Sequence, residues 1–145
     1  MLVENKKARF DYEIVEDYES GIVLSGAEVK SIRDGGATMM GARVVFEEDG
    51  AYVIGLNIQK YKFDSAEEYV PDKRRKLLMH KKEIIEIHTK CRSAGLTVVP
   101  VALYNKGSLV KVKIALARGK KKFEKREILK KRESQLALAR RYKLN

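Results

Sequence analysis

The side chains that could do chemistry in this sequence fall into two unlike sets. The first is a run of carboxylates: Asp11, Glu13, Glu16, Asp17 and Glu19. Two carboxylates can hold a divalent metal for phosphodiester hydrolysis, so a metal-dependent nuclease is the enzymatic reading to weigh. These residues alternate along a segment that reads as a strand, however, and a solvated strand face accounts for them more simply. The second set is cationic. Residues 119–145, GKKKFEKREILKKRESQLALARRYKLN, hold eleven Lys or Arg against three Glu, a net charge of +8. The whole chain of 145 residues is +11, so residues 1–118 carry only +3. A charge excess gathered into one segment favours a polyanion partner, because each phosphate neutralised releases a counterion.

No other arrangement assembles an active site. The sequence has no Walker-A loop, no GxGxxG and no HExxH, CxxC or GxSxG motif. Cys91 is the single cysteine, so neither a disulfide framework nor a thiolate metal site is expected. It reads as a small core residue. His88 has no ligand-spaced partner and reads as structural or surface. The opening MLVENKK lacks an apolar run, and no stretch of about 20 apolar residues follows. Neither a signal peptide nor a membrane span is expected, and the compartment indicated is a reducing cytoplasm. A packed domain of this size leaves no room for a cofactor, and none is expected.

The elements that must position these residues can be read from periodicity. Asn5 to Phe10 opens with a small basic cluster. Asp11 to Tyr18 has the period-2 pattern of a half-buried strand, Ser20-Gly21 signals a break or bulge, and 22–24 resumes extended structure. Ser25 and Glu28 form a capping-box pattern, predicting a short helix with Val29 and Ile32 inward, Lys30 and Arg33 outward, and a stop at Asp34-Gly35-Gly36. Two strands follow, 42–46 and 52–58, across the turn Glu48-Asp49-Gly50. Residues 59–76 read as a surface loop ending in the basic run Lys73 to Lys76. His80 to Ala94 is the main helix, with Ile84, Ile87 and Cys91 on one face and Gly95 as its stop. A hairpin of 96–104 and 109–117 turns over Asn105-Lys106-Gly107, and Pro100 marks an edge or a bulge. The sum is five or six antiparallel strands with a helix before the last hairpin. That is the element order of an OB-type Greek-key barrel with two or three flanking helices, a common platform for oligonucleotides.

Residues 119–145 are set apart from the 1–118 barrel by composition. Glu127 and Lys131 sit at i, i+4 in the order that supports a helix. Leu129, Leu136 and Ala139 make only a thin apolar face. An isolated helix of that kind is marginal in water, so the segment is expected to be disordered when free and helical against a partner.

Five stretches taken in order carry a family resemblance: NKKARFDY at 5–12, GIVLSGAEVKSIR at 21–33, RKLLMHKKEI at 75–84, GLTVVPVALY at 95–104 and VKVKIALARGKKKFEKR at 110–126. Together they resemble the small protein B family of SsrA-binding proteins. The resemblance implies an OB-type barrel that binds the tRNA-like domain of transfer-messenger RNA. It implies delivery of that RNA, with elongation factor Tu, to ribosomes stalled without an intact codon, for trans-translation. The chain itself is expected to catalyse nothing and to be a monomer. The C-terminal segment is expected to enter the empty messenger channel and contact 16S ribosomal RNA near the decoding centre.

Carried over by position, the resemblance marks Glu28 as implicated in RNA binding, with Lys30 and Arg33 as phosphate-facing companions. Leu78 and His80 fall in a second RNA-contacting motif, and His80 also stands where it could cap the main helix. Lys6, Lys7 and Arg9 match the basic N-terminal motif. Gly119, Lys120 and Lys121 begin the tail. Glu124, Lys125 and Arg126 match an acidic-basic-basic motif with Glu in place of Asp. Phe123 stands where a His is common; it can stack but cannot titrate. Lys130, Lys131 and Arg132 complete the ribosome-facing set. A generic OB-type RNA chaperone or ribosome-associated factor is the alternative that barrel and tail alone would permit.

Overall fold

The computed structural model describes the backbone of residues 1–65, 67–120 and 122–143, and side chains there except for 122–124 and 138–143. The elements run β1 (Val3–Glu4), α1 (Lys6–Asp11), β2 (Tyr12–Ile22), α2 (Gly26–Arg33), β3 (Ala37–Thr38), β4 (Arg43–Glu47), β5 (Gly50–Ile54), β6 (Asn57–Ile58), β7 (Arg75–Leu78), α3 (Lys81–Ala94), β8 (Thr97–Lys106), β9 (Leu109–Gly119) and α4 (Lys122–Lys143). Seven strands make one antiparallel sheet in the order β1-β8-β9-β2-β7-β5-β4, and β3 pairs with β6 in a small second sheet. The large sheet forms an open, OB-like barrel: β1 and β4 are its two ends and are not hydrogen-bonded to each other.

Two bulges decide which way side chains face. Val15 is the extra residue of β2 opposite β9, and Val101 is the extra residue of β8, just after Pro100. Side chains alternate with period 2, so one inserted residue turns the following ones to the other face. Before its bulge, β2 sends Tyr12 and Ile14 into a small cluster with Ala8, Val99, Val101, Ala115 and Ala117. Beyond it, Tyr18 and Ile22 face the main core, with Leu77, Val98, Leu103, Val112, Ile114 and Leu116. The paired strands therefore build two cores: one inside the barrel, and one outside it under α1.

The sequence reading needs correction at several boundaries. The basic cluster at 5–10 is the helix α1, and Asp11 ends that helix instead of opening a strand. Asn5 caps it: Oδ1 accepts from Ala8 N at 3.1 Å while Nδ2 donates to the Pro100 carbonyl at 2.9 Å. Ser20-Gly21 is not a break. β2 runs through both residues, and its bulge lies at Val15. The expected 52–58 strand is divided between β5 and β6 at Gly55, whose φ of +77° turns the chain where an added Cβ would meet the Gly41 carbonyl at 3.0 Å. The last hairpin turns one residue later than expected, at Gly107-Ser108. Short strands β1, β3 and β6 bring the count among the described residues above the expected five or six. α3 agrees with its expected span and ends at Gly95 in the left-handed region. Cys91 packs partly buried against the main core, and burial pushes its thiol pKa up.

Candidate RNA-binding surface

α2 is held by the capping box its sequence predicts. Ser25 Oγ accepts from Glu28 N at 3.1 Å, and Glu28 Oε1 accepts from Ser25 N at 3.0 Å. The other carboxylate oxygen faces inward. Glu28 Oε2 accepts from Arg75 Nε at 2.8 Å and lies 3.2 Å from the Tyr69 hydroxyl. Arg75 spends its remaining donors on carbonyls: Nη1 on Leu56 at 2.7 Å and Lys73 at 3.1 Å, Nη2 on Pro71 at 2.8 Å, with the Tyr69 hydroxyl accepting at 3.2 Å. Tyr69 in turn reaches the Ile58 carbonyl at 2.8 Å. Burial alone would raise the Glu28 pKa. The hydrogen bond from Ser25 and the bond and charge of Arg75, with Lys73, outweigh it and hold the carboxyl below its ordinary value. Tyr69 is pushed up, first by burial and then by the charge of Glu28.

This network bears on the expectations for Glu28 and Arg75. Glu28 is expected to reach RNA, yet its side chain is only 2% exposed and both oxygens are engaged by its own chain. Arg75 is read as part of a basic surface loop, solvated or in contact with RNA, yet its side chain is 1% exposed. β7 alternates strictly, sending Arg75 and Leu77 inward and Lys76 and Leu78 outward. A buried guanidinium needs a charge partner and carbonyl acceptors, and Glu28 with three carbonyls supplies them.

The expected contact residues lie on separate stretches of surface. Lys6 and Lys7 are exposed on α1, and Arg9 Nε pairs with Glu4 at 3.1 Å. On α2, Lys30 is exposed with its Nζ 5.7 Å from the Tyr61 ring centroid, and Arg33 Nη2 donates to the Ser108 carbonyl at 3.0 Å. Ser108 is at the tip of the β8–β9 hairpin, whereas α1 packs near its other end. At about 3.3 Å per residue the two groups are separated by roughly 25–30 Å along the strands. Leu78, 58% exposed, stands on the outer face of β7 opposite Gly21. An added Cβ on Gly21 would meet Leu78 Cβ at 3.0 Å. His80 is exposed and occupies the N-cap of α3, where Glu83 Oε1 accepts from its backbone N at 3.4 Å.

The tail helix meets α1. Lys120 N donates to the Asp11 carbonyl at 2.9 Å and Lys120 Nζ to the Arg9 carbonyl at 3.1 Å. Lys125 Nζ pairs with Asp11 Oδ1 at 3.1 Å. Lys125 and Arg132, two helical turns apart, lie 6.0 Å and 5.5 Å from the Phe10 ring centroid. Strand pairing runs through Gly119, opposite Tyr12. Glu127 lies 3.9 Å from Lys130 rather than beside Lys131. Arg126, Lys130, Lys131 and Arg132 are exposed, as are Leu129 and Leu136. Lys121 lies outside the described residues, as do the side chains of Phe123 and Glu124.

The acidic run does not gather on one face: Asp11 ends α1, and Glu16 and Glu19, three positions apart on β2, point to opposite sides of the sheet. Glu16 Oε2 is 2.8 Å from Lys90, which also pairs with Glu86 at 2.9 Å, and Glu19 is 2.8 Å from Lys106. Those lysines hold Glu16 and Glu19 below their ordinary pKa. Among the described residues no three His, Cys, Asp or Glu converge as metal ligands. Sequence reading missed Asn5, Tyr69 and Arg75 as structural keys. Asn5 alone left a signal, as a cap residue before the basic cluster.

Comparison with known proteins fits this arrangement. The model of the SmpB protein family matches residues 2–144. Similar relatives include the SsrA-binding proteins of Mycoplasma mycoides, 44% identical over 99% of this chain and 97% of the relative, and of Persephonella marina, 42% identical over 99% and 94%. That of Protochlamydia amoebophila is 47% identical over 91% and 86%. Among solved structures, a chain described under "tmRNA-SmpB: a journey to the center of the bacterial ribosome" is similar with a TM-score of 0.68. It is 44% identical, and the match covers 83% of this chain and 85% of that one. With a family model spanning almost every residue and relatives this close over most of their length, the chain belongs to the SmpB protein family.

Proposed function

We propose that this chain is an SsrA-binding protein that takes transfer-messenger RNA to stalled ribosomes for trans-translation. The observation that carries this reading is the near full-length identity to SsrA-binding relatives on a chain whose net charge is +11. The barrel, residues 1–118, grips the tRNA-like domain of that RNA by shape and phosphate contacts. Lys6, Lys7 and Arg9 on α1, Lys30 and Arg33 on α2, and Leu78 and His80 between β7 and α3 are its contacts. Glu28 serves that surface from beneath, by fixing α2 to the 59–75 segment.

Residues 119–145 serve the ribosome. They are disordered when free and helical in the empty messenger channel, where Gly119 to Arg126 and Lys130 to Arg132 face 16S ribosomal RNA. Messenger already in the channel would exclude them, which makes the tail a sensor. The complex includes elongation factor Tu, and the chain acts as a cytoplasmic monomer without a catalytic step of its own. Among the described residues no helix is long and apolar enough to cross a membrane.

The test is a gel-shift competition, at stated salt, between transfer-messenger RNA and an equal mass of transfer RNA. The full chain is run beside a form ending at Arg118. Preference for transfer-messenger RNA in both forms is expected. Loss of binding in the short form would move recognition to the tail, and absence of preference in either would return the generic RNA-binding reading.

A further inference from the structure

Phe63 is 75% exposed and belongs to neither hydrophobic cluster. It stands on the segment joining β6 to β7. Its ring meets Tyr61 edge-on, with centroids 5.5 Å apart and planes at 73°. Lys62 Nζ lies 5.0 Å from the Phe63 centroid, and Lys30 Nζ reaches over from α2 to the Tyr61 ring. Gln59 to Lys62 form one wall of an open cleft of about 470 Å³, and Ser31, Asp34 and Gly36 form the other. The cleft is fixed in place from below. Ser31 Oγ donates to the Gln59 carbonyl at 2.6 Å, and Gln59 N donates to the Gly36 carbonyl at 2.8 Å.

From this juxtaposition of Tyr61 and Phe63 with Lys30, Lys60 and Lys62 we infer a stacking site for an unpaired base of transfer-messenger RNA. The inference rests on the proposed function and adds a contact to it. Every base has a π-face, and aromatic side chains beside cations are the usual receptors for bases outside a helix. Asp34 disfavours a phosphate inside the cleft, so the base enters it while the backbone passes over the three lysines. A protein partner fits less well, because the exposed aromatic ring is bordered by cations rather than by further apolar surface.

The chain contains no tryptophan, so Phe63→Trp in the full chain is a single fluorescent reporter. Titration with the tRNA-like domain of transfer-messenger RNA is expected to quench it. Phe63→Ala is expected to weaken that RNA at least about fivefold, with the slope of log K against log salt unchanged and affinity restored by Phe63→Tyr. Lys30→Ala, by contrast, is expected to lower the slope by about one. RNA bound at wild-type affinity by Phe63→Ala, with tryptophan emission unmoved, overturns the site. Quenching by small ribosomal subunits alone overturns its assignment to this RNA. Failure of the wild-type chain to bind the RNA at all overturns the proposed function and the site with it.

Discussion

Arg75 Nε lies 2.8 Å from Glu28 Oε2, with the two side chains 1% and 2% exposed and 47 positions apart. Removing one partner of a buried pair leaves an uncompensated charge, which costs about 3–5 kcal/mol. Arg75→Met and Glu28→Gln should each lower the denaturation midpoint strongly. The double variant Glu28→Gln/Arg75→Met should be less destabilised than the sum of the two, because no lone charge remains. Urea unfolding of the four chains checks this, and strict additivity would mean that the two side chains are not coupled.

The same pair sets a pH dependence. Glu28 titrates below its ordinary value in the folded chain, while in the unfolded chain it returns to about 4.3. Its contribution is therefore present above about pH 4.3 and is lost as pH falls through the lowered folded value. Urea midpoints measured from pH 6 downward should fall for the wild type and fall less steeply for Glu28→Gln. Glu16→Gln, at an exposed pair, should keep most of the wild-type slope.

Much of the barrel was legible because it rests on local rules. The capping box at Ser25-Glu28, the alternation of 109–117 and the Gly95 stop all act within a few residues. An irregularity at Pro100, an edge or a bulge, was legible for the same reason, since a residue without an N–H announces itself, and it is the bulge at Val101. The inward turn of Arg75 was not. Four basic residues in a row look solvated until β7 is known to begin at Arg75, and only pairing with β2 and β5 fixes that phase. Glu28 was legible only in part: its capping role was visible, but a partner 47 residues away leaves no periodic trace.

Phe10 receives two tail cations, Lys125 and Arg132, on its ring, and Asp11 pairs with Lys125. Each such contact is worth about 0.5–1 kcal/mol at an exposed site, enough to bias the tail but not to lock it. Phe10→Ala should therefore speed trypsin cleavage at Arg126 to Arg132 several-fold without changing the thermal midpoint by more than about 2 °C. High salt should speed the wild type toward the same rate, because the Asp11 pair is screened. Equal cleavage rates in both chains would show that α1 does not hold α4.

Asn5 joins α1 to the sheet with both ends of one amide: Oδ1 caps the helix and Nδ2 reaches the Pro100 carbonyl. Asp would cap α1 as well as Asn but has no N–H to give Pro100. If capping were its whole role, Asn5→Asp would leave stability unchanged. The buried carbonyl argues otherwise, since an acceptor left unpaired costs about 1–3 kcal/mol. Asn5→Asp and Asn5→Ala should then be destabilised by comparable amounts in urea unfolding. Both should also lose affinity for transfer-messenger RNA, because Lys6 and Lys7 ride on the helix that Asn5 fixes. Wild-type stability in Asn5→Asp would leave the capping bond as the only one that matters.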